Sequence, residues 1–145
     1  MSYSIDANVL LYAANSSCPE HAAARGFLER AASGSELLFL TWPTVMAFLR
    51  ISTHPRIFPS PLSWKEARQR VDSLLALPQV RVIGELEGFW DAFESLVGGL
   101  SLRGNLVPDA HLASTLKQNG VTTLYTNDGD FRRFEFLSVR NPLKT

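Results

Sequence analysis

The chain has a single cysteine, Cys18, which excludes an internal disulfide and gives no sign of an oxidising compartment. It also lacks a long hydrophobic run: the longest, Val9 to Ala14, falls well short of the ~18 residues a membrane-spanning helix needs. No basic, apolar leader precedes Asp6, so the expectation is a soluble, cytoplasmic protein with no membrane association. Charge of neither sign is in surplus. Fourteen basic residues balance fourteen acidic ones, and a net charge of zero excludes a whole-molecule electrostatic pull toward nucleic acid. Lysine is scarce, because eleven of the fourteen basic residues are arginine, whose planar fork pairs with carboxylate or phosphate. Internal repeats, low-complexity tracts and linkers are absent too, and the 145 residues read as one domain, 1–145.

What is present is an ordinary globular composition, 46% hydrophobic and 19% charged, with enough chain for a core without staples. Strand-like and helix-like segments alternate. Tyr3-Ser4-Ile5 is a short apolar strand ending at Asp6, and Asn8 to Ala14 is helical. Pro19 to Ala32 carries Ala22, Ala23, Phe27, Leu28 and Ala31 at helical spacing. Leu37 to Leu40 reads as a fully buried strand, and Pro43 opens a helix through Val45, Met46, Phe48 and Leu49. The proline-rich stretch from His54 to Leu62 is a loop. Ser63 caps the next helix, with Glu66 three residues on, and that helix runs to Leu77. Val80 to Ile83 is a strand, Phe89 to Leu100 an amphipathic helix, Pro108 to Asn119 a helix closed by Gly120, Thr122 to Thr126 a strand and Leu137 to Arg140 the last strand. Strands separated by helices argue for an α/β fold with a parallel sheet covered on both faces.

Four aspartates stand at element boundaries: Asp6 after the first strand, Asp109 in the first turn of a helix, and Asp128 and Asp130 after the fourth strand. Each alone has a plain structural reading. Asp6 caps a helix, Asp109 complements a helix dipole, and Asp128 makes an Asx-turn. Together they say more. In parallel sheets ligands bind beyond the carboxyl ends of the strands, where strand order reverses, and carboxylates gathered there repel unless a proton or a cation intervenes.

The segments Asp6-Ala7-Asn8-Val9-Leu10-Leu11-Tyr12, Pro108-Asp109-Ala110-His111-Leu112-Ala113 and Thr126-Asn127-Asp128-Gly129-Asp130-Phe131 resemble the three acidic motifs of PIN-domain ribonucleases. More narrowly, the chain is similar to the VapC toxins of bacterial VapBC toxin–antitoxin pairs, and the likeness runs along its whole length. The resemblance implies a PIN-like three-layer fold with a central parallel sheet of order 3-2-1-4-5, which sets Asp6 beside Asp128. It implies hydrolytic cleavage of RNA to 5′-phosphate and 3′-hydroxyl ends, a VapB-like antitoxin partner and a homodimer. One departure stands out. The family usually carries a glutamate on the second helix, in a segment of the type Ala-Glu-Phe-Leu-Arg, and here that segment reads Met46-Ala47-Phe48-Leu49-Arg50.

Carboxylates with retained waters suit Mg2+, and Mn2+ also accepts them. Asp6, Asp109 and Asp128 are expected to be direct or water-mediated ligands, with Asp130 as a fourth that compensates for Ala47. Asn8, Thr126 and Asn127 either orient these ligands or simply shape the turn. His111, two residues past Asp109 on a helix, does not face it and is expected to be structural. Arg50, Arg56, Arg132 and Arg133 are candidates for the RNA backbone, and Trp42, Phe48 and Phe58 for unpaired bases, with core packing favoured for Phe48. Trp64 and Trp90 are expected in the core or against a partner. Two other readings compete: a catalytically silent PIN-like module that binds RNA or protein, and a phosphoacceptor receiver domain. The receiver would need an adjacent acidic pair after the first strand, whereas Asp6 stands alone.

Overall fold

The computed structural model describes residues 2–144. Strand β1 (Ser2–Ile5) runs into helix α1 (Ala7–Ala14) with only Asp6 between them. There follow α2 (His21–Ser33), β2 (Leu37–Thr41), α3 (Trp42–Ser52), α4 (Trp64–Leu75), β3 (Val80–Ile83), α5 (Phe89–Val97), α6 (Leu106–Gln118), β4 (Thr123–Tyr125), a 3-10 turn (Gly129–Arg133) and β5 (Ser138–Arg140). The five strands form one sheet, β3-β2-β1-β4-β5, in which every neighbouring pair is parallel. This is the order the family resemblance implied.

Alternation along the strands divides the core between the two faces. Tyr3, Ile5, Leu38, Leu40 and Val80 meet Leu10 of α1, Val45 and Phe48 of α3 and Ala67 of α4 on one face. On the other, Leu124 meets Ala110, Ala113 and Leu116 of α6, with Phe131, Phe134 and Leu137 closing the layer. Ser4 points to this second face, and its buried hydroxyl donates to the Phe39 carbonyl at 2.6 Å, which satisfies a polar group that would otherwise be costly.

Capping fixes where the helices start. Thr41 Oγ1 accepts from the Thr44 amide, so β2 passes into α3 without a loop. Ser63 and Glu66 form the expected reciprocal capping box. Helix α6 ends in a Schellman motif, in which Gly120 takes φ +71° while its amide and that of Val121 donate to the Lys117 and Leu116 carbonyls.

Several boundaries and burials differ from the sequence-based expectation. Helix α6 begins at Leu106 rather than Pro108, because a proline at the third helical position gives up only an amide with no partner in the first turn. Helix α5 stops at Val97, before Gly98-Gly99, rather than reaching Leu100. Strand β2 is not fully buried, since Leu37 is exposed at its leading end. Two helices precede β2, so Ala47 lies on the third helix of the chain, not the second. Trp64 and Trp90 are 60% and 66% exposed, which removes both from the core. Among the described residues no helix is long and apolar enough to cross a membrane.

Candidate active site

From β1 the chain builds β2 and β3 to one side, then returns through α5 and α6 to lay β4 on the other. The strand order therefore reverses between β1 and β4, the position where parallel sheets open a crevice. The ladder carries one step past the paired strands: the Asp6 amide donates to the Tyr125 carbonyl at 3.0 Å, and the Thr126 amide to that of Arg140 at 2.9 Å. Asp6 and Thr126 thus stand side by side at the carboxyl edge.

Thr126, buried at the end of β4, joins the two acidic strand ends. Its hydroxyl donates to Asp6 Oδ2 at 2.9 Å and accepts from the Asp128 amide at 2.9 Å and from Asn8 Nδ2 at 3.2 Å. One donor and two acceptor positions exhaust a hydroxyl's capacity. The other Asp6 oxygen, Oδ1, accepts from the Ala7 amide at 2.7 Å, so Asp6 is the cap of α1 as well. Asp128 Oδ1 accepts from the Asp130 amide at 2.9 Å and caps the 3-10 turn. The structural roles read for Asp6 and Asp128 are therefore real, and they coexist with convergence on one site. Asn8 Oδ1 is buried with no hydrogen-bond partner among the described residues.

Asp109 reaches the same place from the first turn of α6. Burial, with the charges of Asp128, Asp6 and Asp130, pushes its carboxyl up to about 6, opposed by Arg133. Asp6 is raised as well, chiefly by burial and also by Asp128, against the hydrogen bonds from Thr126 and Ala7. Three separate stretches of chain thus contribute carboxylates that feel one another. Among the described residues, however, no three acidic, imidazole or thiol side chains lie close enough to grip one ion together.

Asp130 is exposed and turned toward Arg133, whose Nε donates to the Asp130 carbonyl at 3.0 Å and whose Nη2 lies 3.9 Å from Oδ1. Asn127 does not join the carboxylates. Its amide donates to the Tyr12 hydroxyl at 3.2 Å and its oxygen accepts from Asn141 at 2.8 Å. Tyr12 was missed in the sequence, although it lies four residues after Asn8 and so on the same face of α1. His111 is structural, as expected: Nε2 meets Glu85 Oε1 at 2.6 Å and holds the Glu85 carboxyl below its usual range. Phe48 and Phe58 are 3% and 5% exposed and unavailable to a ligand, which leaves Trp42, 50% exposed, as the open aromatic of the three. Arg132 and Arg56 are exposed, and Arg50 lies in the last turn of α3, about 12 Å along the helix from Trp42 at 1.5 Å per residue.

The chain is 37% identical over 142 residues to Ribonuclease VapC48 of Mycobacterium tuberculosis, covering 98% of each. It is 40% identical over 139 residues to Ribonuclease VapC43 of the same organism, covering 96% of this chain and 94% of the relative. Among solved structures it is similar to VapBC2 from Rickettsia felis bound to a promoter DNA fragment, with a TM-score of 0.70 at 19% identity, covering 97% of this chain and 98% of that one. Residues 3–137 match the PIN domain. With the acidic strand ends, the reversal between β1 and β4 and the full-length relatives all in agreement, the chain belongs to the PIN domain family.

Proposed function

We propose that this chain is a metal-dependent endoribonuclease, the toxin of a type II toxin–antitoxin pair, acting in the cytoplasm. The observation that carries this reading is the Thr126 hydroxyl binding Asp6, Asn8 and Asp128 into one unit at the crevice, beside Asp109. The donor set is all oxygen, as Mg2+ or Mn2+ requires. Asp6, Asp109 and Asp128 would hold the ion, in part through its waters since no three groups grip it directly, and Asp130 would sit at the margin. When bound, such an ion polarises a phosphoryl oxygen and acidifies a water that attacks the phosphodiester.

The chain's own residues supply orientation. Thr126 and the Ala7 amide fix both Asp6 oxygens, and Thr126 sets the backbone of Asp128. Neither carboxylate need reorganise when substrate arrives. Arg133 lies near enough to oppose the rise of Asp109 and is suited to a phosphate oxygen. The relatives are named VapC ribonucleases and the structural neighbour is a VapBC assembly, which supports an RNA substrate and an antitoxin partner. A homodimer is part of the same reading.

Total bacterial RNA incubated with the protein in Mg2+ or Mn2+ is expected to yield fragments with 5′-phosphate ends, and none in chelator. Ala47, where relatives of this type usually place a glutamate, favours the silent-module reading. Intact RNA in every divalent-ion buffer, with the protein shown to be folded, would select that alternative.

A further inference from the structure

Helix α3 buries Thr44, Val45, Phe48 and Ser52 and leaves Trp42, Met46 and Arg50 exposed at intervals of four residues, one stripe along its outer side. The stripe starts at the catalytic edge. Ser4 of β1 is in register with Phe39 of β2, so Asp6 is level with Thr41, and Trp42 is the next residue. At its far end Met46 and Arg50 share an open groove of about 550 Å3 with Trp64, from the start of α4. Arg50 is the only charged residue of α3, and it is positive.

The stripe and its groove combine two exposed indoles, Trp42 and Trp64, with the single positive charge of Arg50. They are good company for a strand whose phosphates go to a cation and whose bases need a flat apolar surface. We infer that Trp42 is a base-stacking residue for the substrate: it receives an unpaired base next to the scissile phosphate, and the strand continues past Met46 toward Arg50 and Trp64. This makes unpaired RNA the preferred form, because a base held in a duplex has no free face to offer. The inference rests on the ribonuclease reading and adds to it a subsite and a structural preference.

The test is binding of fluorescently labelled oligouridylate and oligoadenylate, measured in chelator so that no strand is cut, with a duplex of the two as comparison. W42A is expected to weaken binding of the single strands by about 10-fold or more, in the range seen when a stacking aromatic is removed. W42F should keep most of the affinity while losing the indole quenching that the parent shows on binding. R50A should lower the slope of log affinity against log salt by about one. Trp42 is exposed, so these variants should fold as the parent does. If the parent cuts bacterial RNA in Mg2+ but W42A binds single strands as the parent does, the stacking subsite is wrong and the nuclease reading survives. If the parent neither cuts nor binds RNA, both fall. Lost affinity that accompanies a change from dimer to monomer in sedimentation would assign the α3 face to a second copy of the chain and overturn the inference.

Discussion

The Asp6 and Asp128 carboxylates are fixed by hydrogen bonds, whereas among the described residues the Asp109 and Asp130 carboxylates make none with them. On the β1–β4 side Thr126 makes the long-range contacts, to residues 118 and 120 positions away, while the Ala7 and Asp130 amides hold Asp6 Oδ1 and Asp128 Oδ1. On the other side Asp109 stands free on α6, and Asp130 leans toward an arginine of its own turn. The difference teaches how a protein brings like charges to one place. One half is preorganised by neutral donors that offset repulsion, and in the other repulsion and burial favour the protonated form of Asp109.

The largest expected effect comes from removing charge in the fixed half. Asp6→Asn should lower RNA cleavage by more than about 100-fold, above the usual range for outer partners of a metal site, while near-native circular dichroism is retained. Cleavage at the parental rate by the folded variant would contradict the assignment. Next is the tie itself. Thr126→Val leaves Asp6 Oδ2 without its donor and the Asp128 amide and Asn8 Nδ2 without an acceptor, so cleavage should fall by about 10- to 100-fold. Stability should fall by about 1–3 kcal/mol in denaturant titration. Thr126→Ser should restore both, since the hydroxyl and not the methyl makes these bonds.

The loosely held half should declare itself in pH dependence. Asp109 is raised from 3.8 to about 6, so between those values the folded chain binds more protons than the unfolded one. Its contribution to stability is fully present below pH 3.8 and is lost as pH rises through 6. Asp109 is half-exposed, and with solvent screening the loss should be about 1 kcal/mol. Urea midpoints measured in chelator at acid and neutral pH should therefore differ less for Asp109→Asn than for the parent. Equal differences in the two proteins would show that Asp109 is not under this strain. The smallest effect is expected at Asp130. Its carboxylate is exposed and its bond to Arg133 long, so Asp130→Ala should reduce cleavage by less than about 10-fold. A loss as deep as that of Asp6→Asn would place Asp130 among the essential ligands.

Much of this was legible in the sequence because the signals are local. Short apolar runs marked the strands, Ser63 and Glu66 marked a helix start, and the three acidic segments marked the candidate site. The failures have a common cause in long-range partners. That Asn127 is taken by Tyr12 and Asn141 depends on which loops the fold brings together. Trp64 and Trp90 kept two readings, core or partner-facing, because an aromatic at a helix start looks the same in sequence in either setting, and their exposure removes the first. The 3-10 turn after Asp128 was hidden in what read as a plain loop, and it is this turn that carries Asp130 out toward Arg133.

The central claim is that Asp6, Asp109 and Asp128 form one cation site. Calorimetric titration of the free protein with Mn2+ at neutral pH tests it directly. The account predicts one well-bound ion for the parent and loss of that binding in both Asp6→Asn and Asp109→Asn. Parental affinity in either folded variant, or no binding by the parent itself, would contradict it.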